Sequence, residues 1–239
     1  MKNQKQPLTK KRYVIIITLS IAIFLLAFGV MALGAILQEN GIENKICYSL
    51  LAAAGIMLVG DLVFMIVNFR GMLEYEIEVK SKKLEEVKHQ TVKGVTKAKI
   101  KTACLREGFK NKDSLYYYKR QFVFSKDFIN YFVKGVECEN LISALDKELE
   151  AFDAKNYKNS NKCLMLFFFK ENITEEELKY ATDVSKSFIL AETSMNMPQF
   201  DTAVIVAVDT AKDEGYFVPC KSRFAVYTYG VRMLNTLLS

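Results

Sequence analysis

The chain reads as a two-helix transmembrane hairpin followed by a cytoplasmic α/β (or α+β) domain, three-layered around a mixed sheet. Three observations lead there. Tyr13 to Leu37 is a run of 25 residues without a charge, and Ile46 to Phe69 is a run of 24 whose only charge is Asp61. Beyond Arg70 the apolar residues recur at strand-like and helix-like spacings in turn.

At 1.5 Å per residue, each apolar run exceeds the roughly 30 Å hydrocarbon core of a bilayer. A buried helix of a globular domain rarely needs more than about 20 such residues. Lys10, Lys11 and Arg12 resemble the basic start of a secretion signal. The run that follows is much longer than the 7–15 or so residues of a signal core, so it is expected to stay as an anchor. Orientation follows from charge. Lys2, Lys5, Lys10, Lys11 and Arg12 precede the first run, and Arg70, Lys80, Lys82 and Lys83 follow the second. The short connection between the runs has Lys45 against Glu39 and Glu43. The positive-inside rule then puts a multi-pass protein in the cell membrane with both termini cytoplasmic.

The expected boundaries are residues 1–12 for a basic cytoplasmic N-terminus and 13–69 for the hairpin. Residues 70–112 are a basic juxtamembrane stalk and linker, and 113–239 the cytoplasmic domain. From Lys80 to Lys112 there are eleven Lys or Arg against three Glu. Leu73, Ile77, Leu84, Val87, Thr91, Val95 and Ala98 recur at roughly helical spacing, which predicts that the second helix continues as the stalk. Tyr75, Ile77 and Val79 also alternate as a short strand would, and Gly108 with the residues after it predicts a loop.

In the domain, "LYYYKRQFVF" (residues 115–124) predicts a strand. Leu141, Ile142, Leu145, Leu149 and Phe152 share one helix face. "CLMLFFF" (163–169) is apolar at every position, as a central strand covered on both faces must be. Thr174 and Glu177 form a capping box ahead of a helix that buries Leu178, Ala181, Ser185, Phe188 and Ile189. "TAVIVAV" (202–208) predicts a second buried strand, and Asp209, Asp213 and Glu214 a solvated turn. "YFVPC" predicts a strand that Pro219 ends or confines to an edge. Phe224, Tyr227, Val231, Leu234 and Leu238 predict a final helix begun by Ser222. Two strands apolar on both faces call for helices on both sides of the sheet.

That order of elements, with Pro198 just ahead of the third strand, resembles the thioredoxin core. The family's C-x-x-C pair is missing, so the resemblance implies topology alone. The hairpin from Asp201 to Lys221 is similar to the core of restriction-endonuclease-like nucleases. The resemblance implies a metal held by Asp201 and by an acidic residue two positions before Lys221. Pro219 occupies that second position, so a principal oxygen ligand is lost.

No phosphate-binding loop, dinucleotide fingerprint, zinc-protease helix or nucleophile elbow occurs. His89 is the only histidine and the five cysteines are scattered. Neither catalytic, cofactor-binding nor metal-binding residues are assigned, and no cofactor is expected. The expected function is a membrane-anchored cytoplasmic binding or interaction module, non-enzymatic, of unknown ligand. The alternative is a membrane-tethered enzyme or effector, nucleic-acid-directed through a degenerate restriction-endonuclease-like core. Two groups of residues carry the membrane reading. Lys80, Lys82, Lys83, Lys88, Lys93 and Lys97 are candidates for an anionic lipid surface, where each Lys contributes about 1 kcal/mol. Nucleic acid is the less favoured partner, because only Phe109 interrupts these charges as a stacking platform would. Asp61 lies nine residues before Arg70, roughly 13 Å inside the bilayer boundary, at the depth of Ser20 on the first helix. Asp61 and Ser20 are therefore expected to form an intramembrane polar contact, within one chain or across a homo-oligomer. Gly29, Gly34, Gly55 and Gly60 would let the backbones approach.

Overall fold

Helix α1 (Lys10–Glu39) and helix α2 (Asn44–Glu85) as far as Lys80 form the first of two units in a computed structural model, and the last five residues of α2 belong to the second. That model describes residues 8–113, 115–124, 127–153, 161–194, 201–220 and 225–239. The Thr9 side chain caps α1 by accepting from the Arg12 amide. Gly41, at φ 77°, supplies the left-handed residue of the turn that follows. Both helices are long and apolar enough to cross a bilayer, and they suggest a membrane protein. Val14, Leu25, Phe28, Ile56, Val67 and other large apolar side chains lie on their outer surface. In water such a surface would be strongly unfavourable.

The second unit is built on one seven-stranded mixed sheet. Its strands are β1 (Gln90–Lys93), β2 (Lys110–Asp113), β3 (Tyr116–Val123), β4 (Asp127–Glu137), β5 (Asn161–Lys170), β6 (Asp201–Asp209) and β7 (Glu214–Phe217). They lie in the order β1-β7-β6-β5-β4-β3-β2. The three central strands, β4, β5 and β6, are parallel, and every other neighbouring pair is antiparallel.

Helices α3 (Lys97–Arg106), α4 (Leu141–Asp153), α5 (Glu175–Ser194) and α6 (Val226–Leu238) complete the unit. Alternation along β5 divides the interior in two. Cys163, Met165, Phe167 and Phe169 pack with Ile100 and Cys104 of α3 and with Tyr227, Val231 and Leu234 of α6. Leu164, Leu166 and Phe168 face the other way, towards Leu141 and Leu145 of α4 and Ala181 of α5. The β7 ladder reaches only from Ala207 to Asp209 of β6. The last turns of α5 accordingly serve the first core as well, through Ile189 and the buried Glu192. The Glu192 carboxylate accepts from the amides of Val226 and Tyr227 and so caps α6, whose N-cap, Ala225, has no side-chain acceptor. Ser222, Phe224, Pro198 and Lys221 lie outside the described residues.

Several expectations change. The segment 70–112 divides: α2 runs on to Glu85, and the remainder supplies β1, α3 and β2 to the sheet unit. Tyr75, Ile77 and Val79 are helical. Gly94, at φ 70°, turns the chain between β1 and α3, and the loop expected after Gly108 contains β2. β4 stands between the first long strand and α4, so the element order differs from the thioredoxin-like one. Asp209 is fully buried, contrary to the solvated turn expected there.

Gly230 is where α6 meets the sheet most closely. A Cβ at this position would collide with Cys163 Sγ and come within 2.8 Å of Val204 Cγ2. Gly230→Ala should lower the stability of the sheet unit by about 1–3 kcal/mol, the usual cost of overpacking. Urea unfolding followed by alkylation of the buried Cys104, which every variant retains, measures this. Cys163→Ala should make the glycine substitution less costly, so the double variant should lose less than the sum of the two.

Candidate functional site

The helix pair has a polar seam. Ser20, Ala27 and Gly34 follow one another at seven-residue intervals, as do Cys47, Ala54 and Asp61. A seven-residue repeat keeps one stripe of a helix against its neighbour. Ala27, Gly34, Cys47 and Ala54 are buried. A Cβ on Gly34 would stand 3.6 Å from the Cys47 carbonyl oxygen, so the backbones run close here. At the other end of this stripe Ser20 Oγ donates to Asp61 Oδ2 at 2.9 Å. The second carboxylate oxygen, Oδ1, is buried and has no hydrogen-bond partner. Nearer the helix ends, the Tyr13 hydroxyl donates to Glu76 Oε1 at 2.6 Å and its ring lies 4.8 Å from that of Tyr75. Of the four glycines expected at close approaches, only Gly34 is at one; Gly29, Gly55 and Gly60 have no neighbour where a Cβ would stand.

The six lysines expected at a lipid surface have different surroundings. Lys82, Lys83, Lys88 and Lys93 are exposed. Lys80 pairs with Glu76 at 3.6 Å, and Lys97 with Glu137.

In the sheet unit, the carboxyl ends of parallel strands are the usual place for a ligand in an α/β fold. A cleft of about 440 Å³ opens there, lined by Lys97, Glu137, Cys138, Lys170, Glu171 and Thr210 among others. Its two lysines are already engaged, Lys97 with Glu137 and Lys170 with Glu177. Lys170 Nζ lies 2.7 and 2.6 Å from the two oxygens of the buried Glu177. The same carboxylate accepts from the Leu141 amide at 3.0 Å and from the Thr174 amide and hydroxyl. The Glu177 amide donates back to Thr174 Oγ1, closing the capping box. Burial alone would raise the Glu177 pKa. The bonds from Lys170, Thr174 and Leu141 together outweigh it and hold the carboxyl at about 2. Asp209 Oδ1 accepts from the amides of Asn172, Ala211 and Lys212, and Oδ2 from that of Ile173. Its pKa is likewise lowered: burial opposes ionisation, and the bonds from Lys212 and Ile173 prevail. The Cys138 thiol is pushed up by burial first and then by Glu177, which disfavours the nucleophilic thiolate.

At the opposite end of these strands, Asn130, Lys162 and Asp201 lie side by side across β4, β5 and β6. Lys162 Nζ donates to Asp201 Oδ2 at 2.6 Å, and the Tyr118 hydroxyl donates to Asn130 Oδ1 at 2.7 Å. Asp201, the first metal ligand in the nuclease-like arrangement, is thus bound to a lysine. Among the described residues no group of three or more His, Cys, Asp or Glu is placed to hold a metal ion. The signal for this row was the occurrence of polar residues near the start of each apolar strand, which sequence spacing alone does not align.

Glu177 makes the sheet unit sensitive to acid. Its folded-state pKa lies below the ordinary 4.5, so the stability it contributes is present above that pH and is lost as the pH falls towards 2. Glu177→Gln, which leaves Lys170 without its charge partner, should cost about 3 kcal/mol near neutrality. Urea midpoints of the two proteins should converge as the pH is lowered through this window.

Compared with models of known protein families, with curated proteins and with solved structures, the chain matches none.

Proposed function

We propose that this chain is a membrane-anchored, non-enzymatic interaction module. Its two apolar helices form a transmembrane hairpin, and its sheet unit lies in the cytoplasm and binds a partner. The positive-inside rule supports this orientation, because basic residues flank the helix pair and the intervening turn is acidic. Lys82, Lys83 and Lys88 would face the anionic leaflet, whereas Lys93, opposite Glu214 at the far end of β1, would not; salt weakens such contacts beyond a Debye length of about 10 Å at 0.1 M. The observation that carries the non-enzymatic reading is the saturation of Glu177 and Asp209. A general acid or base, or a metal ligand, needs lone pairs left for substrate or ion. At the strand ends where an α/β enzyme carries its chemistry, both buried carboxylates spend theirs on neighbouring backbone and lysine.

Topology is the primary test. A thiol engineered at Asn40 should react with a membrane-impermeant maleimide in intact cells. One at Ala211 should react only after permeabilisation. Labelling at Ala211 in intact cells overturns the orientation. Metal-dependent turnover of nucleic acid by the purified chain would overturn the non-enzymatic reading in favour of the effector alternative.

Asp61 is proposed to pack the helix pair. Hydrogen bonds within membranes average about 0.6 kcal/mol, so Asp61→Asn, which still accepts from Ser20, should change helix pairing less than threefold. Asp61→Leu should loosen it. Disulfide formation between thiols placed at Ala27 and Ala54 reads the difference. Unchanged crosslinking in Asp61→Leu, with proton or ion flux lost in Asp61→Asn, would instead assign Asp61 to transport.

A further inference from the structure

Among the described residues of the sheet unit, four large apolar side chains are exposed: Leu105, Phe122, Phe124 and Phe128. Three of the four therefore share one hairpin, where β3 turns into β4. Phe122 and Phe128 are cross-strand partners, with ring centroids 5.5 Å apart in an edge-to-face arrangement. They are 58% and 42% exposed, and Phe124, just beyond them, is 95% exposed. The Arg120 guanidinium lies over the Phe128 ring at 4.2 Å, and Lys112 over the Tyr118 ring at 5.6 Å. Residues 110–128 contain five Lys or Arg against two Asp.

We infer that this aromatic hairpin is a second membrane contact, in which the Phe122, Phe124 and Phe128 rings enter the interface of an anionic bilayer. The inference rests on the membrane-anchored reading above. Phenylalanine on an apolar face with Lys and Arg beside it is the composition of segments that lie in the headgroup boundary. The apolar group is three exposed rings at one end of a two-stranded ribbon. It fits a fluid surface that yields around it, whereas a protein partner would have to supply a matching groove. Arg120 stacked on an aromatic ring keeps its charge outward for lipid phosphate while its flat face covers apolar surface. The occupant also comes with the chain: the helices that bring a bilayer within reach are part of the same polypeptide, which raises the effective concentration of lipid at the sheet unit.

The chain contains no tryptophan, so a single introduced indole reports its own surroundings. The full chain is reconstituted in nanodiscs of phosphatidylcholine and phosphatidylglycerol, with or without brominated acyl chains. Phe24→Trp, on the outer surface of α1, tests the anchor itself. Ala211→Trp, in the turn at the opposite end of the parallel strands, is the control for random collisions with the disc. Phe124→Trp should emit at shorter wavelength than Ala211→Trp and be quenched at least twofold by the brominated lipids. Replacing Arg120 by Gln should reduce that quenching. Quenching of Phe24→Trp without quenching of Phe124→Trp overturns the hairpin contact and leaves the anchor standing. No quenching of Phe24→Trp overturns both. Equal quenching at Phe124 and Ala211, or a blue shift at Phe124 without bromine quenching, also overturns the proposal; the latter result would assign the hairpin to a second copy of the chain.

Discussion

Every side chain of β5 from Asn161 to Phe169 is buried, and the architecture of the sheet unit follows from that strand. A strand with no solvent face must sit inside its sheet and carry a layer of helices on each side. β5 is accordingly the middle strand of the seven, with α3 and α6 against one face and α4 and α5 against the other. Its close contact with α6 requires Gly230, and its last residue, Lys170, supplies the charge that keeps Glu177 ionised. Packing, backbone approach and electrostatics at both ends of the strand trace back to one run of apolar residues.

This run was legible in the sequence because it is long and uninterrupted, and so were β6, α4, α5, α6 and the two apolar helices. Elements that announce themselves less were not. β4 carries Asn130 and Lys134 on a face that is otherwise apolar, and each is bonded to a neighbour, Tyr118 or Glu148, that sequence spacing does not reveal. In α3 the lysines hide the triplet Ile100, Ala103 and Cys104, which is all that this helix buries. β1 and β2 are four-residue edge strands, each with a single neighbour, and impose almost no pattern.

The candidate sites were legible in the same uneven way. Helix rise is a constant of the backbone, so counting from Arg12 and from Arg70 sets Ser20 level with Asp61, and the two are hydrogen-bonded. The roles of Glu177 and Asp209 were less accessible. Glu177 was readable as half of a capping box, but its bonds to Lys170 and to the start of α4 depend on tertiary structure. Asp209 lies next to Asp213 and Glu214 in sequence yet differs from them entirely in environment, because β6 ends at Asp209 and the carboxylate turns back to gather four amides. A carboxylate satisfied in this way stabilises the joint between two strands and two loops, and chemical reactivity is what it gives up.

The pairing of β1 with β7 has a consequence for how the protein is made. Lys93 pairs with Glu214, so about 120 residues separate the partners, which at 5–20 residues per second is roughly ten seconds of synthesis. β1 follows α2 in the chain, so the apolar helices emerge from the ribosome before it, and β1 then still lacks its neighbour. During that interval β1 presents unpaired backbone groups, and its composition, Gln-Thr-Val-Lys, keeps them wet and unattractive to other chains. The polar edge strand is thus suited to waiting, and the sheet closes only when nearly the whole described chain has been made.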